Sequence, residues 1–365
     1  MGLPIPDQLA VQLDEPVLPE AVISNPVDQL EARPKAIARG ATGARITEKN
    51  AELLAFAAAF PGATTEAFSV LNNREATRFA AGGELPTIGG TEKRLEKLVK
   101  LGALRKTRRP GSTVAQYGIT KAGVAAAYSF GHDVNYPDPI DDTAFRTLVH
   151  YRFIAHVAAQ LISPKGFFRN SLGIEPVSLG QLRSEKMMRA TFDPVRRKLK
   201  ENAESGKSGD FGRWRDGALS GAERAANERR IGWSDIVEAQ PALLTIGAPQ
   251  REGTKLKAIH QPDIAVILDG SRTDRSAKNI LVEVELSKKS WTDYDSILAT
   301  LKREFDLGTM YERAVYFTNN NEVSNLIRRV DASYGLIGSG KLTILPLLDR
   351  NGNRIEKNNR VPREN

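Results

Sequence analysis

His260-Gln-Pro-Asp-Ile-Ala-Val-Ile-Leu-Asp-Gly270 and, after a polar gap, Asn279-Ile-Leu-Val-Glu-Val-Glu-Leu-Ser-Lys-Lys289 are the stretch on which the fold turns. Both segments read as strands. Alternation sets Ile264, Val266 and Leu268 on one face of the first, with Asp263, Ala265 and Ile267 on the other. In the second, Glu283 and Glu285 share one face and Val282, Val284 and Leu286 the other. The β-branched, apolar middle of this strand marks an inner position in a sheet. Two carboxylates on one face of an inner strand repel each other and resist desolvation. A cation, or Lys and Arg partners, offsets that cost. Converging carboxylates are also how proteins hold Mg²⁺ for phosphodiester chemistry.

The continuation is of α/β type. Trp291 to Phe305 reads as a helix, Ala314 to Thr318 as a strand, Glu322 to Val330 as a helix and Leu342 to Leu348 as a strand. The fold class expected is α/β (α+β), with a mixed sheet at the C-terminal side. A long helix is expected over about 143–162, with His150 and His156 on different faces, so that they pack rather than share a metal. His260 falls, by alternation, on the face opposite Asp263. Residues 191–217 hold Gly206, Gly209, Gly212 and the run Arg196-Arg197-Lys198, and read as a flexible basic insertion; a helix is expected near 218–230. Residues 351–365 read as a polar tail.

Upstream, Ile46 opens a helical pattern. Thr47 stands at its N-cap; Leu53, Leu54, Ala57, Ala58 and Phe60 form its apolar face, and Pro61-Gly62 ends it. Thr64 or Thr65 caps a second helix with Phe68 and Leu71 inward. A third, after Gly89-Gly90, buries Leu95, Leu98, Val99 and Leu101, with Lys93, Arg94, Lys97 and Lys100 largely off that stripe. Gly102 stops it. Two short strands follow around a basic tip, Arg108-Arg109-Pro110-Gly111-Ser112, and Thr120 caps a further helix. The segment Tyr136-Pro-Asp-Pro-Ile-Asp-Asp142 closes a linker over 131–142.

Composition bounds the chemistry. The chain has 365 residues and no Cys, which excludes disulfides, thiolate zinc, iron–sulfur clusters and a cysteine nucleophile. Any metal is therefore a hard cation held by oxygen. No phosphate-binding Gly-x-x-x-x-Gly-Lys-(Ser/Thr) loop and no His-Glu-x-x-His motif occurs. Neither a membrane-length apolar run nor a secretory leader pattern is present, so no membrane contact is expected and the cytoplasm is the expected compartment. The net charge is +8, from 52 Lys and Arg against 44 Asp and Glu. It is unevenly spread: residues 1–32 hold six acids and no Lys or Arg, and with their prolines read, together with 33–44, as a disordered acidic arm. The rest is correspondingly more basic, which favours a polyanionic partner, nucleic acid first.

Residues 46–128 resemble the winged helix-turn-helix family. The carriers are the Lys-Leu-x-x-Leu-Gly-x-Leu-x-Lys run, the basic tip and the Tyr-x-Ile-Thr-Lys-Ala-Gly ending. The resemblance implies a DNA-binding domain over 45–130, with a helix in the major groove of double-stranded DNA and a wing on the backbone. Lys93, Arg94, Lys97, Lys100, Arg108 and Arg109 would neutralise phosphates. Winged helices also dock proteins and dimerise, so a homodimer and contacts with other replication or mobilisation proteins belong to the expectation.

Pro262-Asp263 and Glu283-Val-Glu285 resemble the P-D…(D/E)-x-K nuclease superfamily, with the restriction-endonuclease-like fold over 143–350. Glu285 stands where the usual Lys belongs, and Lys288, Lys289 or Lys302 is expected to supply the missing charge from a displaced position. With the winged helix, Ser184-Glu185-x-x-x-Arg189 on a helix before the sheet and Lys302 on a later helix, the chain resembles the replication-relaxation family of plasmids and other mobile elements. The resemblance implies Asp263, Glu283 and Glu285 as ligands of Mg²⁺. It implies Glu185 as a helix-borne acid and Lys288 or Lys302 as the group that stabilises developing phosphorane charge. Cutting or nicking of DNA is the implied activity. A non-catalytic replication initiator or transcriptional regulator with a degenerate nuclease fold is the alternative.

Overall fold

The computed structural model describes residues 46–72, 87–108, 112–132, 134, 145–206, 209–229, 232, 236–238, 240–247, 259–268, 279–308 and 310–355. The acidic arm, Arg109 at the hairpin tip, most of the linker and the end of the polar tail lie outside them. The class is α/β (α+β), as expected. Among the described residues no helix is long and apolar enough to cross a membrane.

The N-terminal elements run α1 (Glu48–Ala59), β1 (Ala63–Thr64), α2 (Thr65–Asn72), α3 (Ile88–Lys100), β2 (Leu104–Arg108), β3 (Ala115–Ile119) and α4 (Lys121–Tyr128). The three strands form an antiparallel sheet in the order β1-β3-β2. Gly102 takes a positive φ of 71° where the chain leaves α3, a conformation that costs glycine little. Thr120 caps α4: its hydroxyl accepts from Gly123 N at 3.0 Å and donates to Gly102 O at 2.6 Å. Gly123 must lack a side chain, because a Cβ there would lie 2.1 Å from the carbonyl oxygen of Ala103.

α5 (Phe145–Ile162) joins this unit to the larger sheet. Gln116 of β3 donates to Leu148 O at 2.8 Å, and Glu66 of α2 accepts from Arg350 N at 3.2 Å. One apolar core runs from Phe56 and Phe68 through Ala155 and Ala158 to Val282 and Phe317. The two expected domains therefore share a core.

After α6 (Arg169–Leu172) come β4 (Leu182–Ser184), α7 (Glu185–Glu204), α8 (Phe211–Arg229), β5 (Ile246–Gly247), β6 (Ile259–His260), β7 (Ile264–Val266), β8 (Asn279–Val284), α9 (Trp291–Leu307), β9 (Tyr311–Phe317), α10 (Asn321–Asp331) and β10 (Leu342–Leu345). The main sheet has the order β10-β9-β8-β7-β4. β4, β7 and β8 are antiparallel neighbours, whereas β8, β9 and β10 run parallel. Both faces are covered. Ile264, Val266, Ile280 and Val282 pack in the core that includes α5, while Ala265, Leu281 and Ala314 pack with α9 and α10 residues.

One expectation is corrected here. Residues 191–204 continue α7 and residues 211–217 begin α8, so most of the expected loop is helical. Phe192 and Val195 of α7 are buried with Phe211 and Ala242, and Leu199 packs against them. Arg196, Arg197 and Lys198 are the exposed face of that helix.

Candidate active site

Because β7 and β8 are antiparallel, the start of one and the end of the other meet at the same end of the sheet, with Ile264 opposite Val282. Asp263 immediately precedes β7, and Glu283 is the penultimate residue of β8. Asp263 is fixed through both its backbone and its side chain. Its carbonyl accepts from Glu185 N at 3.1 Å, and its Oδ2 accepts from Val284 N at 2.7 Å. Glu185 opens α7 behind the N-cap Ser184. Glu285 N donates to Phe317 O at 2.9 Å, which carries the pairing one step past β8.

Glu185, Asp263, Glu283 and Glu285 line one cavity of about 520 Å³, together with His150, Arg189, His260 and Lys289. Asp263, Glu283 and Glu285 are each only 6% exposed. Charges so removed from water need partners. Arg189 pairs with Glu185 and Lys289 with Glu285. His150 Nε2 lies 3.0 Å from Asp263 Oδ1, and His260 Nε2 lies 2.8 Å from Glu283 Oε1. An ionised carboxylate only accepts, so against it each imidazole donates.

The electrostatics follow from burial and crowding. Burial, then the neighbouring Glu283, pushes the Asp263 carboxyl above its ordinary range. Burial raises Glu185 as well; Asp263 and Glu283 add to this against the pull of Arg189. Burial alone would lower His150, but the bond and charge of Asp263 outweigh it and hold the imidazole above its ordinary value. Glu283 does the same for His260. Lys289 is raised: burial opposes its charge, and Glu285 and Glu283 overcome that. Beside Glu283 across the parallel pair stands Tyr316, whose buried hydroxyl has no hydrogen-bond partner among the described residues.

The four expected carboxylates come together; of the three candidate lysines, Lys288 and Lys302 do not join them. Lys288 lies 3.7 Å from Glu322 in a separate cleft. Lys302 is half-exposed on α9 and pairs with Asp306 at 2.9 Å; it does not line the cavity. Lys289 supplies the cation. Two residues escaped the sequence reading. His260 reaches Glu283 because Gln261-Pro262-Asp263 interrupts the strand between β6 and β7 and resets the alternation. His150 does lie apart from His156, yet its own face meets Asp263. Glu185 opens the helix that follows the first strand of the sheet, not one before it.

In the N-terminal unit Lys93, Lys97, Lys100 and Arg108 are exposed. Arg94 is half-buried, and its Nε donates to Asn50 Oδ1 at 2.7 Å, tying α3 to α1. That nitrogen is therefore engaged within the fold.

The donor set suits a hard cation. Four carboxylates line the cavity, oxygen donors of the kind that hold a hard divalent ion. Among the described residues, no three His, Asp or Glu side chains are already arranged to hold a metal ion. The carboxylates are instead held by their cationic and imidazole partners. Comparison with known proteins finds no matching family model, no matching curated protein and no matching solved structure.

Proposed function

We propose that this chain is a DNA-binding endonuclease that hydrolyses a phosphodiester bond with Mg²⁺. One observation carries the reading: Glu185, Asp263, Glu283 and Glu285, drawn from positions a hundred residues apart, line a single cavity with Lys289. Two further features support it. Three antiparallel strands, then a helix and a parallel strand, suit the restriction-endonuclease-like core that the sequence resemblance implies. The α-β-α-α-β-β order of the N-terminal unit, with exposed lysines on α3, suits a winged helix on duplex DNA. The context we propose, replication or relaxation of a plasmid or other mobile element, rests on the sequence motifs.

The residues divide the work as follows. Asp263 and Glu283 would hold Mg²⁺, with Glu285 and Glu185 beside them. The ion, when bound, polarises the phosphoryl oxygens and lowers the pKa of a bound water. His260 orients Glu283 through Oε1 and leaves Oε2 for a ligand. His150 and the amide of Val284 fix the two oxygens of Asp263. The Lys289 ammonium is a fixed positive charge beside the carboxylates, the kind of group that stabilises charge developing on a pentavalent phosphorus. The test is incubation with supercoiled plasmid. Nicked or linear product is expected in Mg²⁺ and none in EDTA; intact plasmid at millimolar Mg²⁺ and excess protein would contradict the proposal.

A second reading is favoured by one observation. Glu285 stands in the usual Lys position, and each of the four carboxylates already has a basic partner. A non-catalytic replication or regulatory protein would show salt-dependent DNA binding and no Mg²⁺-dependent product.

A further inference from the structure

The segment Lys288-Lys289-Ser290-Trp291 leaves the candidate site in two directions. Lys289 turns into the carboxylate cavity. Lys288 instead lines a second cleft, of about 460 Å³, with Glu322, Asn325, Arg328 and Arg329 of α10. That helix buries Val323, Leu326, Ile327 and Val330, which leaves the two arginines exposed. Glu322 and Lys288 are 3.7 Å apart and both at least half exposed, so their pair is weak. Arg328 and Arg329 make no ion pair among the described residues. Their place in the last turn of α10 complements the helix dipole. The dipole does not account for Lys288, which reaches the same cleft from another element. Trp291, three residues on from Lys288 and the first residue of α9, is 49% exposed.

Cations that follow a backbone, next to an exposed aromatic ring, are the combination that binds unpaired nucleic-acid strands. Guanidinium groups match phosphate oxygens bidentately, and any base has a face to stack. We propose that this cleft and Trp291 hold a single-stranded segment alongside the carboxylate cavity. Lys288, Arg328 and Arg329 take backbone phosphates, and Trp291 stacks a base. The substrate is then DNA with an unpaired stretch at or next to the cut. The inference takes its orientation from the nuclease reading of the neighbouring cavity, but its test does not need cleavage.

The experiment measures binding of the full chain in EDTA to a labelled 12-nucleotide oligo(dT) and to a duplex of the same length. Arg328→Ala/Arg329→Ala should weaken oligo(dT) binding by about tenfold and flatten the slope of log K against log salt by about 1.4, two single-strand phosphates' worth. Trp291→Ala should weaken it at least about fivefold, with Trp291→Phe restoring most of the loss. Duplex binding, carried by the N-terminal unit, should change less than about twofold. The three residues are exposed, and unchanged melting temperatures confirm intact folds. Unchanged oligo(dT) affinity, or equal losses on duplex and oligo(dT), overturns the inference. The plasmid assay separates the two claims. Nicking with unchanged oligo(dT) affinity removes this inference alone; the predicted oligo(dT) losses without nicking remove the nuclease reading alone.

Discussion

Replacing Glu185 by Gln should make the metal-free protein more stable, not less. The Glu185 carboxyl is pushed up by burial and by Asp263 and Glu283, so its charged form is held at a cost at neutral pH. The size of that cost follows from the cavity. Carboxylates that face one cavity, at a separation on the order of 10 Å, repel by about 2 kcal/mol at an effective dielectric of 20. Against this stands the pair with Arg189, whose side chain is about half exposed, worth about 0.2–1 kcal/mol. The net gain for Glu185→Gln is then about 1–2 kcal/mol. At about 2–4 °C per kcal/mol, the melting temperature in EDTA at pH 7.5 should rise by about 2–8 °C. Mg²⁺ should stabilise the wild type, by about 2.7 kcal/mol at a hundred times its Kd, and stabilise the variant less. Thermal unfolding followed by circular dichroism reads all four conditions. A variant that melts lower than wild type in EDTA would refute the idea that these carboxylates strain one another.

Three other outcomes follow from the geometry. Arg215 of α8 and Glu304 of α9 form a buried bidentate pair at 2.7 and 3.0 Å; Arg215→Met should cost about 3–5 kcal/mol in urea unfolding, and adding Glu304→Met should recover most of it. His156 is buried and its Nε2 faces the Gln160 amide at 3.1 Å, a donor, so it folds as the neutral imidazole with its pKa lowered by burial. Its stability contribution is present above the unfolded value of about 6.5 and is lost as the pH falls, by up to about 1.4 kcal/mol per pH unit; the wild-type minus His156→Leu difference should show that slope between pH 6.5 and 5, whereas parallel profiles would contradict it. His150 and His260 act in the opposite sense but are common to both proteins and cancel. Lys97→Ala should lower the salt slope of duplex DNA binding by about 0.9 with little change in stability, and an unaltered slope would take Lys97 off the phosphate backbone.

The strands around the site were legible because their chemistry is local. Ile264, Val266, Val282 and Val284 alternate with residues of the other face, and both faces are covered, so β7 and β8 read correctly from period two alone. α9 began at Trp291, as read, and it is held there by a reciprocal cap between Ser290 and Asp293. α7 was obscured because its apolar stripe, Phe192, Val195 and Leu199, is broken up by Pro194 and the Arg196-Arg197-Lys198 face. The partners of the carboxylates were harder to see because they come from outside the two strands. His150 reaches Asp263 across 113 positions, a contact that no local pattern encodes. Lys289, one of the three candidates for the missing charge, is the one that two more steps of alternation beyond Glu285 lead to. Lys288 and Lys302 also fit the resemblance, but Lys288 pairs with Glu322 of α10 and Lys302 with Asp306 one turn on in α9.

Cutting of DNA at the carboxylate cavity is decided by comparing wild type with Asp263→Ala/Glu283→Ala on supercoiled plasmid in Mg²⁺, with duplex binding measured in parallel. Loss of nicking with DNA affinity retained is the expected result. Undiminished cleavage by the double variant would contradict it.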